Sequence, residues 1–210
     1  MDASIRECRG RVLDIGAADG WLASRLHEGA HYISVDYPVT AMGLYGTRPH
    51  VYADACCMPI ADESIDAVAC YEVMEHVSRP DDLLAEVARV LAPGGVAEFT
   101  MPFFYPIHDA PHDYQRWTRH GWARGLKQAG LDPESIEARG HSLHAAATTL
   151  CLGLAGPFHR GRPLALLVAA PVLMAVFPVV NLTAWIVAGL WPSWDAMSIG
   201  YRILARKPGA

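Results

Sequence analysis

The stretch Val12-Leu13-Asp14-Ile15-Gly16-Ala17-Ala18-Asp19-Gly20 constrains this chain more than any other. Arg11 to Ile15 is a short apolar run of strand length, and Gly16 breaks it. Beyond Asp19-Gly20, the helical spacing of Trp21 to Leu26 predicts a helix. Strand, glycine turn and helix in that order make the first unit of a nucleotide-binding α/β fold. Small residues let backbone approach a ligand there, and the first N–H groups of a helix lack intrahelical partners. About sixteen residues after Gly20 the next strand, Tyr32 to Val35, ends in Asp36. A carboxylate at that place accepts both hydroxyls of a ribose.

These residues resemble the class I S-adenosylmethionine-dependent methyltransferases: VLDIGAADG is similar to their glycine-rich first motif, and Asp36 to their acidic ribose-binding residue. A dinucleotide dehydrogenase needs G-x-G-x-x-G, and Ala18 stands where its second glycine belongs. The bland alternative for the motif is a tight strand–helix turn with no ligand.

Later segments keep the same order. His50 to Ala53 reads as a third strand ending at Asp54, and the segment from Asp54 to Asp66 resembles the family's "D-A-x-x-L-P-x-x-D-x-S-x-D" pattern. The resemblance puts Asp54 beside the adenine amino group, with Ala55 and Cys56 near the ring; the competing reading is that Asp54 caps a turn. Ile65 to Tyr71 reads as the fourth strand and runs into Glu72-Val73-Met74-Glu75-His76-Val77, similar to the family's "x-x-E-H-V" segment. Tyr71 and Glu72 would line the methionine end of the cofactor, and His76 faces either the cleft or a loop. Pro80 to Leu91 has the apolar spacing of an amphipathic helix, with Asp81 and Asp82 suited to its N-terminus. Ala92-Pro93-Gly94-Gly95 then precedes a fifth strand over Val96 to Met101. The resemblance therefore implies bound S-adenosylmethionine, released as S-adenosylhomocysteine, held by Asp14, Gly16, Ala18, Asp36, Tyr37, Asp54, Ala55 and Tyr71.

Pro102 to Thr118 is a proline-rich loop that crowds aromatics, two histidines, two aspartates and an arginine together. It resembles a "P-x-x-H-x-x-P-x-D-Y-x-R-x-T" segment of methyltransferases found with bacterial surface-glycan biosynthesis. His108 or His112 has the unperturbed pKa of a general base, Asp113 would orient it, and Arg116 would hold an anionic group of the acceptor. The alternative is a structural plug in which Asp113 pairs with Arg116. No metal is expected at His108 and His112, since no second carboxylate cluster backs them.

A net charge of -5 without a Lys/Arg cluster argues against nucleic acid as partner. Five cysteines without a C-x-x-C pair fit reduced thiols in a cytoplasmic protein, and the short charged start, Met1 to Arg9, is no signal peptide. It also leaves little room for a helix ahead of the first strand. Arg119 to Ala129 reads as a helix, Pro133 to Gly140 as the next strand and Ile199 to Lys207 as the last.

About sixty residues separate those two strands, and Pro163 to Trp194 carries no charge. If the last strand joins the sheet, both ends of this insertion lie on one side of any membrane, so a single span is excluded. Two helices of about thirteen residues, turning near Pro178 to Asn181, would make a re-entrant or surface-lying hairpin. Arg160, Arg162, Trp185, Trp191 and Trp194 suit an interface. A dimer contact and an intramolecular lid are the competing uses.

The expected fold is α/β and Rossmann-like: a seven-stranded, mostly parallel sheet with an antiparallel last strand and an apolar helical insertion before it. Residues 1–140 with 198–210 would form the cofactor-binding domain, and 141–197 the insertion. The expected activity is methyl transfer to an O or N of a small molecule or glycan, lipid-linked if the insertion meets the inner face of the membrane. The rival class is a membrane-associated scaffold that keeps the fold without turnover; a weaker rival transfers a different group of the cofactor.

Overall fold

The computed structural model of the chain describes residues 1–158 and 163–209. Arg160 and Arg162 lie outside the described residues. The chain divides into two compact units, the first made of Met1–Pro102, His108–Glu137 and Tyr201–Ala210, the second of Phe103–Ile107 and Ala138–Gly200.

A one-turn helix α1 (Ala3–Arg6) precedes strand β1 (Arg11–Ile15). The chain then gives β2 (His31–Asp36), the short helix α2 (Pro38–Thr40), β3 (Val51–Tyr52), β4 (Ile65–Tyr71), helix α3 (Pro80–Val90), β5 (Leu91–Pro102), helix α4 (Arg119–Gln128) and β6 (Asp132–Arg139). Helices α5 (Ser142–Ala155) and α6 (Pro163–Ala188) intervene before β7 (Gly200–Arg206). The sheet has seven strands in the order β3-β2-β1-β4-β5-β7-β6. Neighbours from β3 to β5 are parallel, with Leu13 level with Ile33 on one side and Val68 on the other. Gly94 N–H donates to Lys207 O and Lys207 N–H to Gly95 O, the reciprocal exchange of an antiparallel pair. The sheet is thus the expected one.

Its chemistry explains its composition. Strands buried on both faces read as unbroken apolar runs, and Val12, Leu13, Ala67, Val68, Ala69 and Cys70 are fully buried. Helix α3 opens on Pro80 with Asp81 and Asp82 in its first turn, and lays Leu83, Leu84, Val87 and Val90 into the core. Helix α4 is capped by Thr118, whose hydroxyl accepts from Gly121 N–H at 3.2 Å, and buries Trp122 against Phe99.

Three local expectations fail for physical reasons. Trp21 to Leu26 does not form a helix; only the 3-10 turn Ala23–Arg25 appears before Gly29 and Ala30 lead into β2. So few residues hold too few hydrogen bonds to repay nucleation. Strand β3 shortens to Val51–Tyr52, and β5 starts at Leu91, across from Ile65, with a register shift before Ala67. The third failure concerns the insertion. Helix α6 does not turn at Pro178: it runs unbroken from Pro163 to Ala188 through both Pro171 and Pro178. The hairpin is instead α5 against α6, running antiparallel. Trp194 N–H donates to the Ser142 hydroxyl at 3.0 Å and Asn181 Nδ2 faces Cys151 Sγ at 3.6 Å. The two prolines lie seven residues apart, about two turns, so the carbonyls they leave without donors fall on one side of the helix.

Candidate active site

Parallel strands end together, so their carboxyl ends collect the loops of the first unit on one edge. A cleft of about 650 Å³ opens there. Asp14, Gly16, Ala18, Asp36, Tyr37, Asp54, Ala55 and Tyr71, the eight residues expected to hold a cofactor, all line it. Of the four loop residues expected to act on the acceptor, His112 lines it, with Asp109 and Tyr114 beside it, while His108, Asp113 and Arg116 stand outside its lining.

Gly16 follows β1 at φ +71°, and a Cβ built there would meet Val73 Cγ2 at 2.3 Å. Only glycine permits both the left-handed turn and the close approach. Ala18 takes φ 46°, Glu72 φ 55° and Asp109 φ 50°; with Glu63 these are all the non-glycine residues at positive φ among the described residues. Three of the four line the cleft, which concentrates backbone strain at this edge.

The turn is tied by Asp36, buried at the end of β2. Its Oδ2 accepts from Ala18 N–H at 3.0 Å and its Oδ1 from Tyr37 N–H at 2.7 Å. Asp14, at 4% exposure, accepts from the Tyr32 hydroxyl at 2.8 Å. Burial pushes its carboxyl up to about 6; the Tyr32 hydrogen bond offsets part of this and the Asp36 charge adds to it. Asp54 does cap a turn, accepting from Cys56 N–H at 2.8 Å, and it also faces the cleft. Burial and the Asp54 carboxylate push the Cys56 thiol up to about 11, so that thiol stays protonated at neutral pH.

Tyr71 donates to Glu98 at 2.7 Å, and its hydroxyl is raised above the usual tyrosine range by burial and the Glu98 charge. Its ring stacks on Trp21 at 5.7 Å. Trp21 lines the cleft and is a residue the sequence reading assigned only to a helix. Aromatics flanking a glycine turn are the signal that would have found it.

The loop after β5 is pinned over the 3-10 turn Met74–His76. Tyr114 N–H donates to Glu75 O at 2.8 Å, and Gln115 Nε2 donates to Met74 O and Val77 O. His112 reaches the cleft, with its Nδ1 2.8 Å from the Tyr114 hydroxyl. Arg116 grips Asp113 with both terminal nitrogens and holds that carboxyl down at about 2. The Asp113–Arg116 pair is the contact that the plug alternative expects, and Asp113 lies in turn against His108 at 3.2 Å.

Sheet order, the acid-tipped β1 and β2 and the cleft across them define a class I S-adenosylmethionine-dependent methyltransferase fold. Comparison with known proteins agrees. A family profile described as a methyltransferase domain matches residues 13–99. The ubiquinone biosynthesis O-methyltransferase of Hahella chejuensis is 31% identical over 139 residues, 58% of this chain and 58% of that protein. The demethylmenaquinone methyltransferase of Renibacterium salmoninarum is 32% identical over 112 residues, 50% of this chain and 47% of that protein. The chain thus spans about half the length of these relatives. In fold, a putative sarcosine dimethylglycine methyltransferase from Galdieria sulphuraria superposes with a TM-score of 0.59 at 21% identity, covering 98% of this chain and 80% of the other.

Proposed function

We propose that the protein moves a methyl group from S-adenosylmethionine to an oxygen or nitrogen of a small-molecule acceptor. The observation that carries this reading is the convergence of Asp14, Asp36 and Asp54 with His112 on one cleft beside Gly16. When bound, the cofactor supplies an electrophilic methyl carbon on a sulfonium. Asp36 fits the ribose hydroxyls, Asp54 and Ala55 the adenine side, and Tyr71 with Trp21 a flat apolar wall. Asp14 is a buried carboxylate with one hydrogen-bond donor, and a ligand ammonium supplies the cation it needs. The chain's remaining task is to position the acceptor and take its proton. In the tautomer that gives Nδ1–H to the Tyr114 oxygen, His112 Nε2 is the basic nitrogen for that task.

Titration calorimetry with S-adenosylhomocysteine, wild type beside Asp36→Ala, tests the cofactor site. Micromolar binding lost in the variant is expected. No binding by folded wild type would overturn the reading, and binding without turnover across an acceptor panel would favour the scaffold alternative.

The acceptor class follows from α6. Residues 169–188 form a helix of mean hydropathy 1.9 in which Ala184 alone is buried among the described residues, and Trp185, Trp191 and Trp194 are each at least 66% exposed. At about 1.5 Å per residue α6 is about 39 Å long and α5 only about 21 Å, too short to cross a bilayer beside it. Because β6 and β7 share one sheet, α6 lies on or dips into a membrane rather than crossing it. A cytoplasmic protein docked on the inner leaflet would meet lipophilic acceptors, either ring compounds of the kind the relatives' names indicate or lipid-linked glycans. Flotation with anionic vesicles tests this: Val172→Glu with Val179→Glu should abolish vesicle binding and leave cofactor binding intact. A stable homodimer that shields α6 and does not float would overturn it.

A further inference from the structure

Beside the cleft lies a cluster the proposed reaction does not use. Glu75, in the 3-10 turn Met74–His76, is fully buried, and neither carboxylate oxygen has a hydrogen-bond partner. A buried carboxylate left this way carries a large desolvation penalty unless a cation meets it. Two imidazoles approach it: Nε2 of His76 lies 3.8 Å and Nε2 of His108 4.0 Å from Glu75 Oε1. The rings stand edge to face, 5.0 Å apart at 80°.

His76 Nδ1 lies 2.7 Å from His112 O, an atom that can only accept, so Nδ1 carries the proton and the Nε2 lone pair faces Glu75. His108 Nδ1 lies 3.2 Å from Asp113 Oδ2 and 3.4 Å from Arg116 Nη2, which hold its ring with Nε2 toward Glu75. One ligand atom from each of Glu75, His76 and His108 lies within 4.8 Å of the other two. A histidine whose Nδ1–H is held by a carbonyl or carboxylate while Nε2 faces inward is the usual support of a metal-ligating imidazole.

We infer that Glu75, His76 and His108 form a binding site for a divalent transition-metal ion. The donor set selects the metal: two imidazoles and one carboxylate suit Zn²⁺, Co²⁺, Fe²⁺ or Mn²⁺, whereas Mg²⁺ and Ca²⁺ prefer oxygen throughout. The edge of a tetrahedral zinc site is about 3.3 Å. Small side-chain rotations of the half-exposed histidines therefore close the set. Asp109 Oδ2, 3.9 Å from His76 Nε2 on an exposed residue, stands ready as a fourth ligand. His76 and Asp109 also line the cleft, so an open coordination position on that side takes water or an acceptor oxygen. This last role rests on the transferase reading, in which the ion would lower the pKa of a bound acceptor hydroxyl; the site itself does not.

The test uses full-length, tag-free protein, stripped with chelator and then freed of it, with no cofactor present. Titration with Co²⁺, followed by calorimetry and by the visible absorption of the ion, should show one site per chain, at least tenfold tighter than Mg²⁺. Glu75→Gln and His108→Ala should each weaken binding tenfold or more, while exposed His120→Ala leaves it unchanged; thermal melts confirm that each variant is folded. No binding by folded wild type overturns the inference, as does unaltered binding in both variants. Metal-free binding of S-adenosylhomocysteine, measured separately, distinguishes this failure from failure of the transferase reading.

Discussion

Asp14 makes the reading of the cleft quantitative. Its carboxyl is raised from 3.8 to about 6 chiefly by burial, a shift of about two units or roughly 3 kcal/mol. A raised folded-state value favours the protonated form. Asp14 thus contributes most to stability below its unfolded pKa and loses that contribution as pH rises through about 6. A cationic ligand reverses the preference, because the ammonium of S-adenosylhomocysteine binds only the ionised carboxylate well. The ionised fraction is about nine-tenths at pH 7 and about one-tenth at pH 5, so affinity should fall about tenfold between them. Near pH 6 binding should also release about half a proton, read as a dependence of calorimetric enthalpy on the buffer's own ionisation heat. Asp14→Asn should bind weakly at pH 7 and lose most of the pH dependence. Other groups that titrate in this window, among them Glu75, which burial raises to about 7, are present in both proteins and cancel in the difference. Equal pH profiles for wild type and Asp14→Asn would refute the assignment of Asp14 to the ligand's ammonium.

Two further outcomes test the scaffold of the site. Gly16→Ala forces an L residue to φ +71° and a Cβ into Val73, which should cost about 2 kcal/mol and lower Tm by about 4–8 °C; an unchanged melting temperature would count against the close-approach account. Arg116→Met removes the partner of Asp113, whose side chain is 2% exposed and whose carboxyl is held at about 2. A depressed folded-state value stabilises above the unfolded pKa and is lost as pH falls through about 2. The variant should therefore lose about 2–3 kcal/mol in denaturant titration at pH 7 and converge on wild type near pH 2, and a loss independent of pH would point to packing instead.

What the sequence carried and what it hid follow from range. VLDIGAADG was legible because strand length, glycine and acidic strand tip are all local, and the eight residues it and its companions named share one cleft. The missing helix at Trp21–Leu26 was not, since apolar spacing says nothing of how few residues remain before the next strand. Pro178 has the local signature of a helix breaker, yet in so apolar a helix the loss of two hydrogen bonds does not outweigh the other turns. Glu75 was the least legible of all. Nothing in Glu-His-Val distinguishes a surface carboxylate from one enclosed by a loop arriving from more than thirty residues away.

That enclosure reorganises the loop's chemistry. Read as a string, His108, His112, Asp113 and Arg116 look like one acid–base group. Folded, they divide. His112 turns to the cleft and its backbone carbonyl holds His76, while Arg116 fixes Asp113, Asp113 lies against His108, and His108 faces Glu75. One segment thus places one imidazole on the cleft and another on the cluster beside it. The link between them is short: the carbonyl of His112 orients His76, so a shift of the loop that moved His112 would also disturb the cluster. Acceptor positioning and occupation of the Glu75 cluster are in this way two readouts of a single loop conformation.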